Sequence, residues 1–342
     1  MPASAEYGSL REERMTEISR RGFMAAGLGA AYLAQGGMAF GQTFPSKQFT
    51  LACGYAPGGL ADIIARLVSG YLGRTFPQPS IVENRPGANG ALAWEAVAKQ
   101  PADGYHLLVS TQSQIVLLPA TTPSLKLDPI DGLTHIAMVC ESPYLLWASA
   151  DFQAQTFDEL VKLGKSGETP IFYGTSGIGG QQHLASELLA LETGIKMQAV
   201  HYKGGGVMMP DLMSNRVQLG FATPALALGA YKEGRIKPLL AVGDTEDPNF
   251  PGVPASTQVG LPRMKSLLGW YGIQGPAGIP DDIADSLNKI VQDCLSDPDI
   301  MKALELNLVN PVKAPRKEFA DRIAEEYGTI QDLVKAIGFT PA

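Results

Sequence analysis

At 342 residues, 45% hydrophobic and 18% charged, the chain is long enough for two ordinary cores, and its composition fits neither a disordered nor a fibrous protein. The formal net charge of -7 argues against a polyanionic partner such as nucleic acid, and leaves the sign of any local pocket open. Three widely spaced cysteines, Cys53, Cys140 and Cys294, match neither a disulfide framework nor a zinc ribbon, and are expected to be small buried apolar residues.

The first element in the chain is a leader. Ser19-Arg20-Arg21-Gly22-Phe23-Met24 precedes a weakly apolar, glycine-containing run from Ala25 to Ala34, and the small residues Ala39-Phe40-Gly41 follow. The run is too short to span a bilayer stably, and the pattern resembles a twin-arginine export signal over residues 1–41. Cleavage is expected after Gly41, with Met15 as an alternative start. Leu51-Ala52-Cys53-Gly54 has the outline of a lipoprotein box, but Cys53 follows the polar Pro45-Ser46-Lys47-Gln48 and closes no apolar run.

Beyond residue 42, β-type runs alternate with amphipathic stretches, which predicts an α/β architecture with largely parallel sheets. Phe49-Thr50-Leu51-Ala52-Cys53 reads as a strand, Ala56-Pro57-Gly58-Gly59 as a turn, and Ile63, Ile64, Leu67, Val68, Tyr71 and Leu72 as one helical face. A second unit of the same design starts at Ile171-Phe172-Tyr173. It turns through Gly174 to Gly180 and continues as a helix with Leu184, Leu188 and Leu191 on one side.

Two such units far apart predict two lobes, with crossings near Ala137 to Ala148 and near Leu267 to Gly275. The expected division is residues 42–140 and 269–342 for the first lobe and 141–268 for the second. Helices at about Asp281 to Leu295 and Lys317 to Ala336 are expected to return to the first lobe.

A glycine turn that opens a helix aims several unpaired backbone N–H groups and the positive end of the helix dipole at one point, which suits an anion. A P-loop would need a lysine and a hydroxyl residue after its last glycine, and neither turn has them. The dinucleotide fingerprint fails because Gln182 stands where its third glycine would be. What remains is a singly charged carboxylate, held by amides with the hydroxyls of Thr175 and Ser176, or a turn that only connects strand to helix.

The polar residues near these turns are Asp62, Arg66, His183 and Lys203. Asp62 falls in a first helical turn, where capping is its ordinary role. His183 reads equally as a pocket residue and as a structural histidine. A Ser176/His183/Asp62 triad can be written, but Ile178 replaces the second glycine of a nucleophile elbow, so hydrolysis of a carboxylate ester or amide is poorly supported. The four histidines show no metal-ligand spacing, and neither a metal nor a cofactor is expected.

Five blocks follow one another in the chain: Tyr55-Ala56-Pro57-Gly58-Gly59-Leu60-Ala61-Asp62, Glu83-Asn84-Arg85-Pro86-Gly87-Ala88-Asn89-Gly90, Asp103-Gly104-Tyr105, Tyr173-Gly174-Thr175-Ser176-Gly177 with His183, and Tyr202-Lys203-Gly204-Gly205-Gly206. Taken in this order they resemble the Bug family, periplasmic receptors of tripartite tricarboxylate transporters. With Gly275-Pro276-Ala277-Gly278 and Ser296-Asp297-Pro298-Asp299, the resemblance runs from about Phe49 to Phe339.

The resemblance implies a type II periplasmic-binding fold whose two α/β lobes close on a small carboxylate destined for a membrane transporter. No catalytic residue is implied. The implied ligand-binding residues are Tyr55, Pro57, Gly58, Gly59 and Asp62 of the first loop, Thr175, Ser176, Gly177 and His183 of the second, and Thr111, Tyr202 and Thr223 along the cleft. A receptor feeding a sensor kinase is the alternative. The sequence departs from the family pattern at Asn89, where glycine is usual, and at Gly180, where serine is frequent, so the ligand's identity does not carry over.

Overall fold

The structure is a computed structural model that describes residues 44–167, 170–202 and 205–339. The expected export signal and Lys203 lie outside the described residues.

The elements run β1 (Phe49–Cys53), α1 (Leu60–Thr75), β2 (Ser80–Asn84), α2 (Ala91–Ala98), β3 (His106–Thr111), α3 (Leu118–Thr121), β4 (Leu133–Ser142) and β5 (Leu145–Ser149). They continue with α4 (Phe157–Ser166), β6 (Phe172–Thr175), α5 (Gln181–Thr193), β7 (Gln198–His201), α6 (Gly205–Met213), β8 (Leu219–Ala222), α7 (Pro224–Lys232) and β9 (Ile236–Ala241). The last are β10 (Gly269–Pro276), α8 (Asp281–Cys294), α9 (Pro298–Leu306), β11 (Asn310–Pro311) and α10 (Arg316–Ala336).

Two sheets result, one in each lobe. The first has the order β11-β4-β10-β3-β1-β2, the second β7-β6-β8-β5-β9. The chain passes from the first to the second through Pro143 and Tyr144, between β4 and β5, and returns over residues 242–268 before β10. Helices α8 and α10 pack on β4 of the first sheet.

The sheets are mixed, not largely parallel. The pairs β1–β2, β1–β3, β6–β7 and β6–β8 are parallel, whereas β10 and β11 run antiparallel to their neighbours and β5 runs antiparallel to β8 and β9. The reason is topological. Only strands joined by a crossover helix on the same sheet must run parallel, and β4, β5 and β10 instead carry the chain between lobes.

Strand β1 lies inside its sheet, so Phe49, Leu51, Ala52 and Cys53 are all buried and only Thr50 interrupts the apolar run. On α1 the apolar spacing buries Ile64, Val68 and Leu72 and half-buries Ile63, Leu67 and Tyr71. On α5, Leu184 and Leu188 are buried but Leu191 is exposed, and Leu189 takes the inward position instead. The three cysteines are free and buried.

Candidate functional site

A cavity of about 590 Å³ lies between the lobes, within the range of small-molecule sites. It is built at the ends of strands. Lobe 1 supplies Tyr55 after β1, Gly59, Leu60 and Ala61 at the opening of α1, and Thr111 at the end of β3. Lobe 2 supplies residues 176–182 between β6 and α5, and Thr223 between β8 and α7.

Six of the sequence-derived site residues stand in this wall: Tyr55, Gly59, Thr111, Ser176, Gly177 and Thr223. The other six, Pro57, Gly58, Asp62, Thr175, His183 and Tyr202, are not part of it. Several of them hold the two loops in shape from behind.

In the first loop, Asp62 is buried and its carboxylate is fully engaged. Oδ2 accepts from the Gly58 N–H at 2.9 Å and from Arg66 Nε at 2.9 Å, while Oδ1 accepts from Asn84 Nδ2 at 2.8 Å. Burial opposes ionisation of Asp62, but the bonds from Arg66, Gly58 and Asn84 outweigh it and hold the carboxyl below its ordinary value. The Gly58 N–H therefore turns toward Asp62, and φ of +88° at Gly58 lets the loop make that turn. Tyr55 Oη lies 2.7 Å from Thr111 Oγ1, which also accepts from the Gln114 N–H at 3.1 Å. Burial raises the Tyr55 hydroxyl, keeping it neutral.

In the second loop, His183 Nδ1 accepts from the Gly179 N–H at 3.0 Å, which assigns the proton of the neutral ring to Nε2. Burial depresses the pKa of His183 and the His201 ring adds to this, while Glu187 opposes both. Thr175 Oγ1 accepts from the Gly177 N–H at 3.2 Å and lies 2.9 Å from His201 Nδ1. Tyr202 donates to Asp211 Oδ2 at 2.8 Å, with its hydroxyl pushed up to about 12 by burial and by Asp211. These partners leave no Ser-His-Asp relay, because Asp62 and His183 are each committed within their own loop.

The sequence reading missed Gln112, Tyr144, Gln182, Trp270, Tyr271 and Phe339, all in the wall. Gln112 adjoins Thr111 and Tyr144 lies in the first crossing, so their places were within reach. Phe339 comes from beyond α10, and no local pattern marks it. Asn89, the departure from the family pattern, also lines the cavity and adopts the left-handed φ/ψ of 53° and 34°, which glycine and asparagine tolerate best.

Among the described residues no Asp, Glu, His, Lys or Arg lines the cavity. Three helix N-termini do face it, those of α1, α5 and α7, and none has a side-chain cap. In α1 and α5 the first-turn amides precede the first intrahelical bond, whereas α7 opens with Pro224 and bonds its Leu226 N–H to the Thr223 carbonyl at 3.1 Å, so α1 and α5 offer the amides that can hold an anion with neutral groups. The described residues hold no cluster of His, Cys, Asp and Glu fit for a metal, and no described helix is long and apolar enough to cross a membrane.

Residues 64–339 match the family described as the tripartite tricarboxylate transporter family receptor, TctC. The chain belongs to that family. Protein BugT of Bordetella pertussis is 27% identical over 297 residues, covering 86% of this chain and 91% of BugT. Among solved structures, a Rhodopseudomonas palustris protein with adipate is 26% identical, covering 87% of this chain and 100% of its own, with a TM-score of 0.72. MatC of the same organism, solved with bound malate, is 27% identical, covering 85% of this chain and 100% of its own, with a TM-score of 0.69. The TctC chain thus has the two-lobed periplasmic-binding fold that its motifs imply.

Proposed function

We propose that this TctC-family receptor captures a small carboxylate outside the cytoplasm and presents it to the membrane components of a tripartite tricarboxylate transporter, without converting it. The observation that carries the reading is the cavity between the lobes, walled by uncharged side chains among the described residues and faced by three uncapped helix N-termini. The relatives with adipate and malate support it.

On this reading residues 42–140 and 269–342 form lobe 1 and residues 141–268 form lobe 2. The twin-arginine segment delivers the folded protein to the periplasm. Tyr55, Gly59, Thr111, Ser176, Gly177 and Thr223 meet the ligand or its bridging waters, and Pro57, Gly58, Asp62, Thr175, His183 and Tyr202 shape the loops that do so.

Thermal unfolding with a panel of carboxylates and their matching amides tests the function. The acids raise Tm in proportion to RT ln(1 + [L]/Kd), the amides do not, and each acid is recovered unchanged after long incubation. Equal stabilisation by amides refutes the carboxylate reading, and loss of the bound acid refutes the absence of turnover.

A further inference from the structure

A second cavity, of about 1090 Å³, lies apart from the one at the glycine turns and shares only Tyr144 with its wall. It is bounded by both crossings, within residues 143–145, 242–248 and 262–268, and by one face of α10. Eight carboxylates and four cationic side chains line it, so its wall is acidic.

The four cations are engaged. Arg322 bonds Glu141 and Glu326, Lys265 bonds Asp244, Lys317 bonds Asp321, and Arg263 lies 3.7 Å from Glu192. Glu246, Asp247, Glu318 and Glu325 are left without a cationic partner among the described residues. Glu318 and Glu325 are exposed and stand two turns apart on one face of α10.

Asp247 is the reverse case. It is only 7% exposed, and its Oδ1 accepts from the N–H and the Nδ2 of Asn249 at 2.8 and 3.0 Å. Its Oδ2 is buried and has no hydrogen-bond partner among the described residues. A buried carboxylate oxygen without a donor is costly, and the wall has no free cation to supply one.

Between the charges the wall is apolar, with Met138, Tyr144, Leu145, Val242, Leu268 and Val312. Charged acceptors separated by apolar surface match a chain of methylenes that carries ammonium groups. A bare metal ion needs ligands that converge on one point, and the described residues hold no group of three His, Cys, Asp or Glu fit for one.

We propose that this cavity binds a linear aliphatic polyamine, one ammonium group donating to Asp247 Oδ2 and another lying on the acidic face of α10. The site is independent of the carboxylate reading: the amines can fail to bind while the acids bind, and the reverse.

Calorimetric titration at pH 7 and low ionic strength with 1,4-diaminobutane, spermidine, butylamine, magnesium chloride and a lysine pentapeptide tests the proposal. Spermidine and diaminobutane should saturate one site per chain and bind at least about tenfold more tightly than butylamine, which offers a single charge. No saturable binding by the two polyamines, butylamine that binds as tightly, or magnesium binding in their place overturns it. Binding by the pentapeptide alone assigns the cavity to a basic protein segment and overturns it as well.

Asp247→Asn puts an NH2 group where Oδ2 has no partner and keeps Oδ1 for Asn249, so its Tm should stay at the wild-type value while spermidine affinity falls at least about tenfold. Glu318→Gln combined with Glu325→Gln, both on an exposed helix face, should show a loss of the same order. Asp158→Asn makes the same change of charge at an exposed position in the first turn of α4, outside both cavity walls, and should bind as wild type does. Wild-type affinity in Asp247→Asn or in the double variant, or an equal fall in Asp158→Asn, overturns the site.

Discussion

Replacing Asp62 by asparagine exchanges one carboxylate oxygen for an NH2 group and tests how the first loop is held. The carboxylate accepts from the Gly58 N–H at 2.9 Å and from Asn84 Nδ2 at 2.8 Å, and the Asp62 side chain is only 3% exposed. An amide keeps one of these bonds in neutral form and turns its own NH2 toward the other donor. Weakening one charge-assisted bond and opposing another costs about 2 to 4 kcal/mol. The Arg66 bond is left out of this sum because its guanidinium is exposed and screened by solvent. For a chain of this size the change lowers Tm by on the order of 5 °C.

The pH dependence of the same pair carries a sign. Asp62 is held below its ordinary value of 3.8 in the fold, so its contribution is present above that pH and is lost as pH falls through the folded value. Asparagine does not titrate. The gap between wild type and Asp62→Asn, measured by urea unfolding, should be full at pH 7 and narrow from about pH 4 downward. A variant as stable as wild type at pH 7, or a gap that stays constant into acid, refutes the reasoning.

His183 accepts from Gly179 only when Nδ1 is unprotonated, and its folded value is depressed below 6.5. Affinity for a fully ionised acid should be level above about pH 6.5 and fall below it as the second loop loses that acceptor, and titrations that stay level to pH 4.5 contradict this. Glu326→Gln removes one acceptor from a buried carboxylate bonded to Arg322 Nε at 2.7 Å, Gln112 Nε2 at 2.9 Å and Trp270 Nε1 at 2.8 Å. It should cost about 2 to 4 kcal/mol and change the Trp270 emission, and the idea fails if both stay at wild-type values. Changing Arg20 and Arg21 to Lys should leave the full-length precursor in the cytoplasm, and processed protein in the periplasm would rule out the twin-arginine route.

The two strand-turn-helix units were legible because their signals are local. An apolar strand, glycines that allow a tight turn, and apolar residues at helical spacing all lie within about 25 residues. The loops' inner partners were not legible, since nothing in a sequence says that the Gly58 N–H points at Asp62 and away from a ligand. The mixed sheets were missed for a related reason: β4 and β5 differ from parallel strands only in where their connection leads. The links from Glu326 to Gln112 and Trp270 span 214 and 56 positions, and no periodic pattern reaches so far. Leu191 shows the limit of spacing itself, because Leu189 on the same helix competes for the core and takes the place.

The two glycine turns looked alike in the sequence, and Asp62 is the residue that makes them different. Lobe 1 brings its own carboxylate to α1, while α5 and α7 of lobe 2 carry no acidic residue in their first turns. On the proposed reading a ligand in the cavity meets residues of both lobes, with Tyr55, Thr111 and Trp270 among those of lobe 1. Binding energy can favour closure only through contacts that differ between open and closed forms, and these lobe 1 contacts are that difference. The chain passes between the two sheets at two crossings. On the lobe 1 side these are tied to α10, by Arg322 bonded to Glu141 before the first crossing and by Gln112 donating both to Glu326 and, at 2.7 Å, to the Ser266 carbonyl in the second. The proposed clamp predicts a split that small-angle scattering can read. Wild type should compact at saturating hexanoate, and Thr223→Asp, which places a fixed negative charge in the cavity wall, should keep its ligand-free radius of gyration at the same concentration. Compaction of Thr223→Asp by hexanoate would mean that lobe 1 captures the anion without lobe 2.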